Sequence, residues 1–236
     1  MANAYKRILL KVSGEVLAGD HSFGIEPEFL EATAAQIVEA AKAGVQIAIV
    51  TGGGNIFRGM QVAAGGADRV TADMMGTLGT VINALALSSA IMRAGVKSKV
   101  YSATTMPSVA DTYTARSARA ALDDGYVVVL GGGTGNPFFT TDTAGALRAI
   151  ELECDVMLKG TKVDGVYSED PHKNPGADRY DSISHQEVIA RDLKFMDTTA
   201  VALARDNGLP IIVYALDDKE GLMGVLGGRT RSTRVG

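Results

Sequence analysis

The chain has 236 residues, of which 46% are hydrophobic, and a formal net charge of −4 at pH 7. This length and apolar content are enough for a full hydrophobic core. The acidic balance gives no general attraction to nucleic acid, so we expect no nucleic-acid partner, and the basic residues at 229–234 are expected to form a solvated tail. The single cysteine excludes an intrachain disulfide, and no apolar run is expected to span a membrane. We therefore expect a cytoplasmic protein.

Short runs rich in β-branched residues predict strands at intervals along the chain. They lie at residues 7–12, 45–50, 99–102, 126–130, 156–158 and 211–214. Helical patterns separate most of them. One helix begins at Pro27 and ends before Gly44, a second runs from Asp73 to Arg93, and a third begins at Ser184 with capping-box spacing. The alternation predicts an α/β fold with a mainly parallel sheet and helices on both faces, in one domain spanning residues 1–236.

The second predicted helix carries an apolar stripe formed by Leu78, Ile82, Leu85 and Ser89. Spacings of three and four residues place these side chains on one helix face. Two interpretations stay open: the stripe packs in the core, or it is an interface between copies of the chain.

Three glycine-bearing corners follow predicted strands: Ser13-Gly14, residues 52–54 and residues 131–136. The carboxyl ends of parallel strands lie along one edge of a sheet, so the corners are expected to converge on one crevice. Glycine lets backbone N–H groups approach an anion closely, although each corner alone would also fit a merely tight turn. Together the corners predict a pocket for a phosphorylated ligand.

Several familiar site motifs are missing from the sequence. There is no G-x-x-x-x-G-K-[ST], G-x-G-x-x-G or G-x-S-x-G segment, and the three histidines are scattered, so no protein-held metal site is expected. Lys11 and Arg58 beside the glycine corners, with Asp142 and Asp197 at predicted helix starts, fit phosphoryl transfer, which needs alignment and charge neutralisation. The alternative is that the two aspartates are only helix N-caps.

Four segments carry more specific motifs, in a fixed order along the chain. They are residues 10–15 (LKVSGE), 52–59 (GGGNIFRG), 134–142 (TGNPFFTTD) and 159–167 (KGTKVDGVY). Together they resemble the bacterial uridylate (UMP) kinases of the amino-acid-kinase superfamily, and the third segment is the most specific. The resemblance covers nearly the whole chain. It implies a three-layer αβα sandwich, a homohexamer, and transfer of the γ-phosphoryl group of ATP, with Mg²⁺, to UMP.

The resemblance also implies roles for individual residues. The catalytic residues would be Lys11, Arg58, Asp142 and Asp197. The residues that bind ATP would be Lys11, Val12, Ser13, Gly14, Gly54, Arg58, Thr161, Tyr167 and Asp170. The residues that bind UMP would be Gly53, Asp73, Thr134, Gly135, Asn136, Pro137, Phe138, Phe139, Thr140 and Thr141. GTP and UTP are the effectors that the family implies, and Tyr126 stands where an arginine that serves GTP is expected.

The glycine run before the loop departs from the family pattern. The three consecutive glycines at 131–133 exceed the family's usual lead-in and are expected to loosen the loop around uracil. The alternative functions are a sister kinase that acts on a carboxylate or carbamate, a non-catalytic anion-storage protein on the same fold, and a nicotinamide-dependent oxidoreductase.

Overall fold

The computed structural model describes residues 5–57, 66, 68–171, 173–218 and 220–236. The strands are β1 Arg7–Val12, β2 Gln46–Thr51, β3 Ser98–Ser102, β4 Asp111–Thr112, β5 Val127–Gly131, β6 Val156–Thr161, β7 Val166–Tyr167, β8 Arg179–Tyr180, β9 Ser182–Ile183, β10 Ile211–Ala215 and β11 Ser232–Val235. The helices are α1 Gly14–Leu17, α2 Pro27–Lys42, α3 Arg69–Arg93, α4 Ala115–Asp123, α5 Thr141–Glu151, α6 His185–Ala190, α7 Thr198–Asp206 and α8 Gly221–Leu226.

A nine-stranded sheet forms the centre, with strand order β4-β3-β5-β2-β1-β6-β10-β11-β9. Neighbouring strands are parallel except β10 and β11, while β7 and β8 form a separate antiparallel pair. The six predicted strands are confirmed, and they occupy consecutive places in the sheet from β3 to β10. The predicted helix starting at Pro27 and the capping box at Ser184 are also confirmed.

Alternate residues of each central strand face opposite helical layers, as the two-residue period of a strand requires. On β1, Ile8 and Leu10 pack in a cluster that contains residues of α1, α2, α3 and α8. Leu9, between them, packs in a second cluster with residues of α4, α5, α6 and α7. The predicted three-layer αβα sandwich with a mainly parallel sheet is therefore confirmed.

Helix α3 presents its apolar stripe outward. Leu78, Ile82 and Leu85 are 48%, 48% and 38% exposed, whereas Val81, Ala84, Leu87 and Ile91 form the buried face. The interpretation that the stripe packs in the core of this chain is wrong. By length and composition alone α3 is also apolar enough to cross a membrane, contrary to expectation, and half of its most apolar window is buried.

The basic segment at the end of the chain is not a solvated tail. Residues 232–235 form β11, which pairs antiparallel with β10. Arg229 forms an ion pair with Glu220, and Arg231 forms one with Asp164. The expectation of a free tail is wrong because alternating side chains of this segment, such as Thr233 and Val235, are fully buried.

Candidate active site

The corners that follow β1 and β2 touch each other. A Cβ atom on Gly14 would lie 2.3 Å from Oδ1 of Asn55, and one on Gly52 would lie 2.8 Å from the backbone nitrogen of Gly14. Asn55 and Asn83 exchange amide hydrogen bonds of 3.1 and 2.7 Å, and Asn83 also donates to the carbonyl of Gly52. Only glycine allows this approach of two backbones, and the paired amides fix it.

The third glycine corner, after β5, meets the same edge. Gly132 donates its N–H to Oγ1 of Thr80 at 2.8 Å, and Ala103 donates to the carbonyl of Gly131 at 3.1 Å. Gly132, Gly133 and Gly135 have φ values of 81°, 57° and 83°, in the left-handed region that glycine adopts readily. The three corners therefore converge on one side of the sheet, as the sequence predicted.

A cavity of about 510 Å³ opens between these corners and α3. Seven residues predicted to bind UMP line it: Gly53, Asp73, Thr134, Asn136, Phe139, Thr140 and Thr141. Gly54, predicted to bind ATP, lines it as well. Gly135, Pro137 and Phe138 lie on the same loop. The geometry is that of a pocket for a small molecule, with the 132–140 loop as one wall and the start of α3 as the other.

Asp73 joins those two walls. Its carboxylate accepts a hydrogen bond from the N–H of Phe138 at 2.9 Å and forms an ion pair with Arg69 at 2.8 Å. Phe138 has a φ of 71°, an uncommon conformation for a residue with a side chain, and its ring lies 5.7 Å from the Arg69 guanidinium. Asp73 thus fixes the position of a strained loop residue from the opposite side of the cavity.

A buried charged cluster lies at the same edge of the sheet. Lys11 on β1 and Lys159 on β6 are direct partners in the strand register. Their ammonium groups contact the two oxygens of Asp142 on α5, at 2.9 Å for Lys11 and 2.6 Å for Lys159. All three side chains are nearly inaccessible to solvent. The cluster holds two cations and one anion, so it carries a net positive charge.

The carboxylate of Asp142 is ionised in this cluster. Burial alone would raise the pKa of Asp142, but the ammonium groups of Lys11 and Lys159 outweigh burial and lower the pKa to about 2. Burial lowers the pKa of Lys159, and the attraction of Asp142 opposes that change. Removing the Asp142 carboxylate would therefore leave two buried ammonium groups without the anion between them.

The two predicted aspartates have different structural roles. Thr140 is the N-cap of α5, so the interpretation of Asp142 as only an N-cap is wrong. Asp197 is the N-cap of α7 and accepts from the N–H of Ala200 at 3.0 Å, but it also accepts from the hydroxyl of Thr143 at 2.8 Å and from that of Thr140. Asp197 therefore fixes the start of α5, from which Asp142 projects.

The remaining residues predicted for ATP have the following positions. Val12 is buried at the end of β1, and Ser13 is the N-cap of α1. Thr161 ends β6 and borders a second cavity of about 520 Å³. Tyr167 donates its hydroxyl to Asp164, and the carboxylate of Asp170 lies 3.7 Å from Lys173. Arg58 lies outside the described residues.

Lys159 is the functional candidate that sequence reasoning missed. It belongs to a recognised segment, but no role was assigned to it. The available signal was a lysine in an apolar strand at the position that matches Lys11, because two such side chains on neighbouring parallel strands point to the same face. Recognising this required the strand order, which puts β1 beside β6.

Comparison with known proteins agrees with this geometry. Residues 6–215 match the model of the amino acid kinase family. The chain belongs to the amino acid kinase family. One relative within it, the uridylate kinase of Brucella abortus, is 54% identical over 232 residues, which are 98% of this chain and 97% of that protein.

Solved structures of family members superpose closely on the chain. The UMP kinase from Bacillus anthracis has a TM-score of 0.93 and 37% identity, and the match covers 98% of this chain and 96% of that one. The UMP kinase from Ureaplasma parvum has a TM-score of 0.92 and 36% identity, with coverage of 100% and 99%. The resemblance to uridylate kinases found in the sequence is confirmed.

Proposed function

We propose that this chain is a uridylate kinase, which transfers the γ-phosphoryl group of ATP to UMP and releases ADP and UDP. The observation that carries this proposal is the position of the 510 Å³ cavity, lined by the 132–140 loop and Asp73, beside the Lys11–Asp142–Lys159 cluster. The acceptor would lie in the cavity, and the cluster would meet the group that is transferred.

The chemistry fits these side chains. The acceptor is a phosphate monoester, whose second pKa is about 6, so its attacking oxygen is already anionic near neutral pH and no general base is needed. The main barrier from the protein's side is the repulsion between two anions. Lys11 and Lys159 lower this repulsion in a site largely closed to water, where an interaction between charges is stronger than in bulk solvent. Arg58 is proposed to contribute a third cation.

Substrate contacts are proposed on the same grounds. The corner at Ser13 and Gly14, with Gly54, would hold the ATP phosphates through backbone N–H groups, and Thr161, Tyr167 and Asp170 would border the ATP nucleoside. Gly53 and the 132–140 loop would surround UMP. Asp73 would accept from the ribose hydroxyls, and to do so it would exchange its bond to Phe138 for bonds to the substrate.

Magnesium is proposed as the metal that accompanies ATP. Among the described residues, no group of three or more His, Cys, Asp or Glu side chains is arranged to hold an ion. A Mg²⁺ ion would be bound mainly by the nucleotide phosphates, as is common for this metal, and Asp142 or Asp197 would be the protein residues that help to hold it. When bound, the ion would neutralise charge on the β- and γ-phosphates.

Assembly, effectors and location are part of the same proposal. The outward apolar stripe of α3 supports self-association, with a homohexamer as the family's form, because a contiguous exposed apolar face is typical of an interface. GTP and UTP are proposed as effectors and the cytoplasm as the location. The single domain spanning residues 1–236 stays a prediction.

The test is an acceptor panel with purified protein, ATP and Mg²⁺. ADP release is measured with UMP, CMP, dUMP, glutamate or carbamate, each with and without GTP. We expect turnover with UMP, little with glutamate or carbamate, and loss of most activity in Arg58→Ala. Turnover with a carboxylate or carbamate would instead assign a sister kinase, and no turnover with any acceptor would favour an anion-binding protein.

A further inference from the structure

The first part of the 132–140 loop consists mostly of glycine, whose backbone has few conformational restrictions. Gly132, Gly133 and Gly135 all have positive φ values, and glycine pays the largest entropy loss when a single backbone conformation is imposed. Gly133 and Thr134 line the 510 Å³ cavity. Within the loop, Gly135 donates its N–H to the carbonyl of Gly132 at 2.9 Å, and Asn136 donates its N–H to Oγ1 of Thr134 at 3.2 Å. These local bonds do not attach the loop to the rest of the fold, so its position depends on contacts from outside. Thr80 supplies one such contact, to the N–H of Gly132.

Arg148 supplies another contact, at the carbonyl of Gly133. Its Nη2 donates to this oxygen at 3.2 Å, and its Nη1 forms an ion pair with Glu151 at 2.7 Å. The side chain of Arg148 is only 7% exposed, although it projects from α5, which carries Asp142 at its other end. A guanidinium group suits this position because its planar fork reaches a carbonyl and a carboxylate at once.

A tyrosine holds the guanidinium in place. The ring centroid of Tyr113 lies 4.1 Å from the guanidinium carbon of Arg148, and the Tyr113 hydroxyl donates to the same Glu151 oxygen at 2.6 Å. Tyr113 is itself tied to the end of β3, because its N–H donates to the carbonyl of Ser102 at 2.9 Å. Arg148 is thus fixed on one face by an aromatic ring and at one nitrogen by a carboxylate, and its other nitrogen is aimed at Gly133.

We infer that Arg148 is a positioning residue for the acceptor substrate: it acts through the Gly133 carbonyl and sets the shape of the loop that meets the nucleoside monophosphate. This inference rests on the proposed function. The Arg148 contact offsets the looseness expected of three consecutive glycines. We expect an effect on the acceptor and not on ATP, since the corners after β1 and β2 are held by the separate Asn55–Asn83 amide pair.

Arg7 offers a matched control. Like Arg148, it is largely buried, with 13% of its side chain exposed. Its guanidinium donates to the backbone carbonyl of Leu152 and forms an ion pair with Asp123, and it also donates to the side-chain oxygen of Gln46. Arg7 begins β1, so it lies at the amino ends of the strands, whereas the cavity lies at their carboxyl ends. Replacing either arginine by lysine keeps the charge and removes the fork. A purely structural role would give the two variants the same phenotype.

The experiment compares Arg148→Lys, Tyr113→Phe and Arg7→Lys with the parent protein. We expect KM for UMP to rise about tenfold in Arg148→Lys and about threefold in Tyr113→Phe, with KM for ATP within about twofold of the parent, as for other residues that orient a binding group. Arg7→Lys should lower Tm without changing either KM. If Arg148→Lys does not fold, Tyr113→Phe decides. Equal changes in both KM values, no change in KM for UMP, or the same effect from Arg7→Lys would overturn the inference.

A second measurement does not depend on turnover. Hydrogen exchange of the ligand-free proteins should be faster across residues 132–136 in Arg148→Lys and Tyr113→Phe, and unchanged there in Arg7→Lys. If the parent does not phosphorylate UMP, the proposed function fails and this exchange pattern alone decides whether Arg148 positions the loop. Unchanged exchange across the loop in both variants would contradict the positioning role.

Discussion

Replacing Asp142 by asparagine removes the anion that separates two buried ammonium groups. In the parent protein, Lys11 and Lys159 each contact one oxygen of Asp142, at 2.9 and 2.6 Å. Asparagine has nearly the same shape, so the substitution creates no cavity and the change is electrostatic. Removing one partner of a buried ion pair destabilises a protein by about 3–5 kcal/mol, and we expect Asp142→Asn to lie in that range at pH 7.

The sign of the pH dependence follows from the lysines. Burial already lowers the pKa of Lys159, and without Asp142 only the weaker attraction of Asp197 opposes that change. A lysine whose pKa is lower in the folded state than in the unfolded state binds fewer protons when folded, so the stability of the variant rises with pH towards the unfolded pKa of about 10.4. The deficit of Asp142→Asn relative to the parent should therefore shrink between pH 7 and pH 9.

The parent has a complementary dependence at acid pH. The pKa of Asp142 falls from its ordinary value of 3.8 to about 2, so its carboxylate stabilises the fold above pH 4. This contribution, roughly 2 kcal/mol from the size of the pKa change, is lost as the pH falls through the folded pKa. Asp142→Asn should show no such loss between pH 4 and pH 2 from this site.

Urea unfolding at pH 6, 7, 8 and 9 measures the effect of the lysines, and urea unfolding at pH 4, 3 and 2 measures the acid effect. Asp192→Asn is the control, because Asp192 is 69% exposed and its ion pair with Lys194 is on the surface, where such pairs contribute about 0–1 kcal/mol. Its φ of 52° also suits asparagine. If Asp142→Asn were as stable as Asp192→Asn at pH 7, or its deficit were the same at pH 9, the buried-cluster argument would be refuted.

Three further predictions concern the cavity, the outer helix face and the glycine corner. Asp73→Asn should raise KM for UMP about tenfold, measured by steady-state kinetics, because an amide has one acceptor oxygen where a carboxylate has two. Ile82→Asp should shift the protein to smaller assemblies in light scattering coupled to size-exclusion chromatography, while the fold is kept. Gly14→Ala should destabilise the protein by more than about 2 kcal/mol in urea unfolding, since a Cβ atom would lie 2.3 Å from Oδ1 of Asn55, whereas Gly54→Ala, with open space at its Cβ position, should keep stability.

The central strands were predictable because their pattern is strong. A short run of buried β-branched residues, such as the three consecutive valines of β5, leaves few alternatives to a strand. The two-residue strands β4, β7, β8 and β9 are too short to show any period. They form because segments distant in the sequence supply their hydrogen-bonding partners, and the local sequence does not show which segments those are.

The orientation of α3 could not be predicted for a different reason. This helix is apolar on two faces, one bearing Leu87 and Ile91 and the other Leu78 and Ile82. Periodicity detects each stripe equally well but does not say which one the sheet covers. The choice depends on tertiary contacts such as the close approach of Gly79 to Gly53, where the nearest atom to a Cβ on Gly79 would be the Gly53 carbonyl oxygen at 3.1 Å.

The charged cluster follows from the alternation of side chains between the two faces of the sheet, together with the position of one helix. Leu9 and Met157 pack in the layer that contains α5, so Lys11 and Lys159, two residues further on, point into the same layer. The strands run parallel and in register, which brings both ammonium groups to one level near the carboxyl edge. Asp142 reaches them because it stands in the first turn of α5, and α5 starts at that edge after the glycine loop. A cation one residue earlier or later would face the opposite layer, so the site depends on the register as much as on the residue types.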